Sequence, residues 1–122
     1  MTSIVVWVSL AVVAGVGAVM RFLLDGAVTR RMRRAFPVGT MAVNLTGSLA
    51  LGIIDGAALP KDLALVFGTG MVGAYTTFST WMFETQRLAE ERQVARATQN
   101  LYLSLVLGVA LGAFGLWIGG LL

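Results

Sequence analysis

Apolar residues in this chain run on for longer than the core of a small soluble domain requires. The stretch "VGTMAVNLTGSLALGIIDGAAL", residues 38–59, holds a single acid and no base. A helix that crosses a bilayer needs about 20 mostly apolar residues. Four stretches qualify, at about residues 3–24, 38–59, 63–83 and 97–122, the last with Val94 as an alternative start. The second follows Pro37, a residue suited to a first helical turn. Nothing alternates apolar and polar over the length of a barrel strand. The reading is an all-α membrane protein, a single four-helix transmembrane domain over residues 1–122. Composition agrees: 57% of residues are hydrophobic and 12% charged, against about 25% charged in soluble domains. A chain of this size has too high a surface-to-volume ratio to hide so much apolar surface from water. It has no cysteine and no histidine, which excludes disulfides, thiol catalysis and the common zinc sites. The opening "MTSIVVWVSL" lacks a basic leader, so it is expected to be the start of a retained span and not a cleaved signal.

The placement of charge gives an orientation. Four spans put both termini on one side. Arg21, Arg30, Arg31, Arg33 and Arg34 lie at or in the connection after the first span, and Arg87, Arg92 and Arg96 in the connection after the third. The opposite side carries only Lys61. The positive-inside rule counts Lys and Arg alone. It therefore predicts that the arginine-rich connections face the cytoplasm and the termini face out. The arginine cluster is read as an anchor for anionic lipid headgroups.

Several helix faces are not suited to lipid. Lipid gives helices no hydrophobic reason to associate, so close packing of small residues takes that role. Ala11, Ala14, Gly15 and Ala18 mark such a stripe on the first span, and Gly108, Gly112, Gly115 and Gly119 another on the fourth. The second span has a polar face instead: Thr40, Asn44, Gly47 and Ser48 share one side of a helix. Asn100 and Ser104 repeat the pattern on the fourth. An amide at membrane depth must find partners or bear a desolvation cost of several kcal/mol. These stripes serve either to bond neighbouring helices or to line a polar path. No carboxylate sits mid-span; Asp55 and Glu84 fall near span ends. A proton-coupled exporter wants an acid inside the bundle.

The third span contains "GAYTTFSTW", Gly73 to Trp81, preceded by Gly68 and Gly70. Glycine and β-branched threonine are both poor helix formers, so a break is expected here, near the middle of the span. A break frees backbone carbonyls, and irregular backbone at membrane depth survives only when buried in protein or lining a cavity. Freed carbonyls are oxygen ligands for a hard cation, as in the discontinuous helices of transporters. If the helix then resumes, Phe78 and Trp81 project to one side. The positive edge of an aromatic ring can meet an anion.

With those residues in view, "GVGAVMR" (Gly15–Arg21), "GTMAVNLTGS" (Gly39–Ser48) and "GMVGAYTTFSTW" (Gly70–Trp81) resemble, in order and spacing, the signature stretches of the small bacterial fluoride channels, the Fluc or CrcB family. The resemblance covers nearly the whole chain. It implies an antiparallel, dual-topology-type dimer with two narrow pores in a bacterial plasma membrane. It further implies a structural, non-transported Na⁺ at the dimer centre, held by main-chain carbonyls that match Gly73 and Thr76 here. Asn44, Phe78, Trp81, Thr40, Ser104 and Asn100 match positions of the anion pathway, and Arg21 matches a structural arginine. Two of these depart from the commonest family pattern: Trp81 stands at a position usually phenylalanine, and Asn100 at one often tyrosine.

The implied activity is passive fluoride efflux that lowers cytoplasmic fluoride and its toxicity, through a channel and not an enzyme. Amide, hydroxyl and aromatic-edge donors can replace fluoride's water without a full positive charge to trap it. The alternatives are a small multidrug-type exporter, which would require an intramembrane carboxylate, and a non-conducting assembly subunit of a heterodimeric channel. The strong Lys/Arg bias predicts that this chain inserts mainly one way and pairs with a related subunit of opposite orientation, in preference to an inverted copy of itself.

Overall fold

The computed structural model describes residues 3–32 and 36–122. The described residues form helices joined by short turns: α1 (Ile4–Met32), α2 (Val38–Gly56), α3 (Lys61–Ala64), α4 (Gly73–Tyr75), α5 (Phe78–Glu90) and α6 (Val94–Gly120). Between α3 and α4 the chain stays helical but widens into a π-helical segment, Leu65–Val72. Helices α1, α2 and α6 are each long and apolar enough to cross a bilayer. The third expected span is instead an interrupted rod from α3 to α5, broken at Thr76 and Thr77.

Two boundaries differ most from the sequence reading. Helix α1 does not stop at Leu24 but continues through Arg30 and Arg31 to Met32. The segment read as a basic loop is thus in part the last turns of a helix, with cations near its C-terminus, where the helix dipole favours them. Arg33 and Arg34 lie outside the described residues. Helix α5 likewise runs beyond Phe83 to Glu90. A left-handed residue, Arg92 at φ 61°, then turns the chain into α6. The Gln93 N–H closes that turn on the Leu88 carbonyl at 2.8 Å.

Helices α2 and α6 form the most extensive contact in the molecule. Its closeness depends on absent side chains: a Cβ on Gly115 would run into the Leu49 carbonyl of α2. Helix α1 packs instead against the π-helical segment. Here the close approach falls at Gly17, where a Cβ would collide with the Met71 carbonyl, while Gly15 of the expected small-residue stripe faces open space. Much of the outer surface of α1 and α6 is exposed Val, Leu, Phe and Trp, the surface that a bilayer or a partner helix would cover.

Candidate functional site

The break in the third span is built by hydrogen bonds that divert backbone groups from the helical ladder. Thr76 (φ −84°, ψ 162°) and Thr77 (φ −147°, ψ 123°) are extended. The last regular bond before them is Thr76 N–H to the Val72 carbonyl, at 2.9 Å. The next donor, Thr77 N–H, would close on Gly73 if the helix continued. It turns instead to Asn44 Oδ1 on α2, at 2.9 Å. Asn44 Nδ2 in turn donates to the Thr77 carbonyl at 2.8 Å. Thr77 then caps α5: its Oγ1 accepts from Thr80 N–H at 3.2 Å, which takes that donor away from the Thr76 carbonyl. The Tyr75 and Thr46 hydroxyls share a further bond to α2 at 2.7 Å.

A groove of about 580 Å³ opens beside the break. Asn44, Gly73, Thr76, Phe78, Trp81 and Ser104 all line it. Of the residues singled out from sequence, these are the ones the fold brings together. No lining residue is Asp, Glu, Lys or Arg. The floor is α2, one wall is the π-helical segment and the break, and the other is α6. Ser104 is 8% exposed, and its Oγ is buried with no hydrogen-bond partner. A buried hydroxyl without a partner calls for an explanation, and here it fronts a cavity. Ser48 is different, since its hydroxyl is spent on the Asn44 carbonyl at 2.9 Å. Phe78 is 70% exposed, and its ring meets Trp81 edge to face, with centroids 5.7 Å apart and planes at 87°.

The remaining predicted residues sit elsewhere. Asn100 is 1% exposed and stands behind Trp81. Trp81 Nε1–H donates to the Asn100 carbonyl at 3.0 Å, and Asn100 Nδ2 donates to Thr85 Oγ1 at 2.8 Å. Thr85 Oγ1 closes the loop on the Trp81 carbonyl at 2.9 Å. The indole N–H is therefore committed to α6, and Asn100 fastens α5 to α6 without lining the groove. Thr40 is 4% exposed and does not line the groove. Arg21 is half-buried on α1, with Nε shielded and unpartnered. Sequence reading overlooked Thr77 and Thr85. The signal for Thr77 was its place directly before a resumed helix, with a second threonine three residues on, the pattern of an N-cap.

Two main-chain carbonyls at this break lack their helical donors. The donors that would occupy the Gly73 and Thr76 carbonyls in a continuous helix are those of Thr77 and Thr80, and both are bonded elsewhere. Among the described residues no cluster of His, Cys, Asp or Glu offers a side-chain metal site. What the break exposes is neutral carbonyl oxygen.

Three helices long and apolar enough to cross a bilayer, packed around a broken helical rod beside a groove without charged lining, define a multi-pass membrane protein. The family profile described as "CrcB-like protein, Camphor Resistance (CrcB)" matches residues 8–116. The chain is 56% identical over 115 residues to "Fluoride-specific ion channel FluC 2" of Mycolicibacterium paratuberculosis, covering 94% of each chain. It is 53% identical over 116 residues to the protein of the same name from Mycobacterium tuberculosis (strain ATCC 25618 / H37Rv), covering 95% of this chain and 92% of the relative. It is 42% identical over 125 residues to "Fluoride-specific ion channel FluC 1" of Leifsonia xyli subsp. xyli, covering 99% and 90%. The chain belongs to the CrcB family, whose relatives named here are ion channels and not enzymes.

Proposed function

We propose that this protein is a fluoride-specific ion channel that lets fluoride leave the cytoplasm down its gradient. The observation that carries the reading is the groove: it offers the Ser104 hydroxyl, the Asn44 amide and the Phe78 ring while containing no fixed charge. Small dipolar donors can take over from the water around a small anion, and without a full positive charge the ion can leave again. The names of the relatives supply the identity of the anion. The exporter reading would want an acid in the path, and no carboxylate lines the groove.

The working unit is an antiparallel dimer around a structural Na⁺. Two carbonyls, those of Gly73 and Thr76, are too few to replace a cation's hydration shell, so a second chain must bring its own pair. Gly73 is exposed, as a shared seat at an interface requires. When bound, the cation would supply a fixed positive charge between the two inverted subunits. The partner is a related subunit of opposite orientation. Two features support this: the Lys/Arg bias toward one side, and the numbered names FluC 1 and FluC 2 among the relatives.

The test is fluoride efflux from liposomes, measured with a fluoride electrode, for this chain alone and with a FluC 1-type partner. Efflux through at least one assembly is expected, with chloride retained. No efflux from an assembly verified as dimeric would sink the channel reading. Cysteine-accessibility mapping of the termini should label from one side only, and equal labelling from both sides would favour an inverted copy as partner.

A further inference from the structure

Asn44 lines the groove, but its side-chain amide is bonded to the main chain. Its amide and the Thr77 peptide exchange two bonds, Nδ2–H to the Thr77 carbonyl at 2.8 Å and Thr77 N–H to Oδ1 at 2.9 Å. That is the pairing two strands make in a sheet, reproduced by one side chain against one peptide. A primary amide suits this, because it presents a donor and an acceptor side by side. Aspartate would offer two acceptors, serine one hydroxyl, and leucine nothing. The amide is also anchored from below, since Ser48 Oγ donates to the Asn44 carbonyl at 2.9 Å and ties that turn of α2.

The two bonds decide where the neighbouring carbonyls point their lone pairs. Without Asn44, Thr77 N–H has one good acceptor within reach along the chain, the Gly73 carbonyl, and bonding to it would continue the helix. A backbone N–H at membrane depth does not stay unpaired, because each unsatisfied group costs several kcal/mol. We infer that Asn44 is the positioning residue that keeps the third span open and the Gly73 carbonyl free, so that one amide ties the anion groove to the cation seat. The inference rests on the cation reading above for the role of the freed carbonyl. The clamp itself rests only on the Asn44–Thr77 geometry. Each Asn Nδ2 carries two protons and the Thr77 carbonyl takes one, which leaves the other for the groove that Asn44 lines. One side chain thus serves both the backbone and the path.

Two readouts separate these elements. The first is hydrogen–deuterium exchange, resolved to Thr77, on the assembled protein in detergent, for wild type, Asn44→Ala, Asn44→Asp and Ser104→Ala. Exchange at Thr77 should quicken by about tenfold or more in Asn44→Ala, because the two-bond clamp gives way to a single bond to the Gly73 carbonyl at the end of a helix, which opens more readily. It should remain near wild type in Asn44→Asp, which keeps an acceptor, and in Ser104→Ala. The second is the thermal midpoint in NaCl against N-methylglucamine chloride. Wild type and Ser104→Ala should gain midpoint with Na⁺, while Asn44→Ala should need roughly tenfold more Na⁺ for the same gain. If Thr77 exchanges equally in wild type and Asn44→Ala, the clamp is overturned. Should Asn44→Ala not fold, rapid Thr77 exchange in Asn44→Asp does the same. A wild-type midpoint indifferent to Na⁺ removes the cation reading but leaves the clamp to be judged by exchange. An unchanged Na⁺ requirement in Asn44→Ala, with wild type responsive, overturns the coupling.

Discussion

Helix α2 shows two faces that solve one problem in opposite ways. Toward α6 the contact is made by glycine: Gly52 of α2 and Gly115 and Gly119 of α6 bring the two backbones into contact, with both helices unbroken. Toward the third span it presents Asn44 and Thr46, and the partner backbone is interrupted. In hydrocarbon every N–H and C=O must be satisfied within the protein. The α6 side meets that demand inside each helix, so the contact between helices needs only shape. The broken side meets it between elements, so side chains must supply what the ladder gives up. The lesson is that the glycine-packed face is the frame, and the amide-bonded face is where main-chain atoms become available for chemistry.

That division is broken most directly at the frame. Gly115→Leu drives a side chain into the Leu49 carbonyl. The α2–α6 contact has no flexible side chain at that point to move aside, and overpacking of this kind costs about 3 kcal/mol. The expected outcome is loss of the monodisperse species on size-exclusion chromatography and loss of flux with it. A Gly115→Leu protein that still assembled and conducted would show that the close helix pair is not the frame.

The next effect falls on the groove and should leave the frame alone. Ser104→Ala removes the buried hydroxyl that has no partner within the chain. A hydrogen bond to a charged group is worth about 1.5–3 kcal/mol, so fluoride flux should fall by roughly ten- to a hundredfold. The thermal midpoint should hold or rise slightly, because an unsatisfied polar group has been removed. A drop in midpoint with unchanged flux would mean that Ser104 belongs to the frame.

How much of this was legible in the sequence follows the same division. Helix α2 and the apolar bodies of α1 and α6 were readable because membrane spans announce themselves by length and hydropathy. The break was readable because glycine and threonine both disfavour helix. The π-helical segment was not, since a shift from i→i+4 to i→i+5 bonding leaves no periodic trace in side-chain type. The continuation of α1 past Leu24 was missed because the arginines were taken as loop residues, though arginine is a good helix former. Spacing placed Asn100 on the face of Ser104, and it does project from that side of α6. Spacing cannot give depth, however, and the bulk of Trp81 puts Asn100 behind the wall. Thr40 was read as part of the polar stripe with Asn44, yet it is buried away from the groove, a depth that spacing cannot give.

A smaller effect tests the junction where the broken side is fastened. Thr77→Ala removes the cap on Thr80 N–H and should lower stability by about 1 kcal/mol, a shift of several degrees in midpoint for a domain of this size. Its peptide bonds to Asn44 use main-chain atoms and persist, so Na⁺ should still raise the midpoint. If the Na⁺ response vanished in Thr77→Ala, the Thr76 carbonyl would depend on the cap for its freedom, and the seat would hang on Thr77 as much as on Asn44.

The smallest effect lies where the two strategies meet on α6. Trp81 bonds the Asn100 carbonyl through its indole N–H, while its ring lines the groove beside Phe78. Trp81→Phe keeps an aromatic ring and loses the bond. Because the Asn100 carbonyl sits on an α-helix, where the ladder bond can remain, the loss should be under about 1 kcal/mol. Fluoride flux should stay within a few-fold of wild type, since the Phe78 edge and the Ser104 hydroxyl are untouched. Flux collapsing while the midpoint holds would place the indole N–H in the path of the anion, and the bond to Asn100 would then be a resting position that the ion displaces.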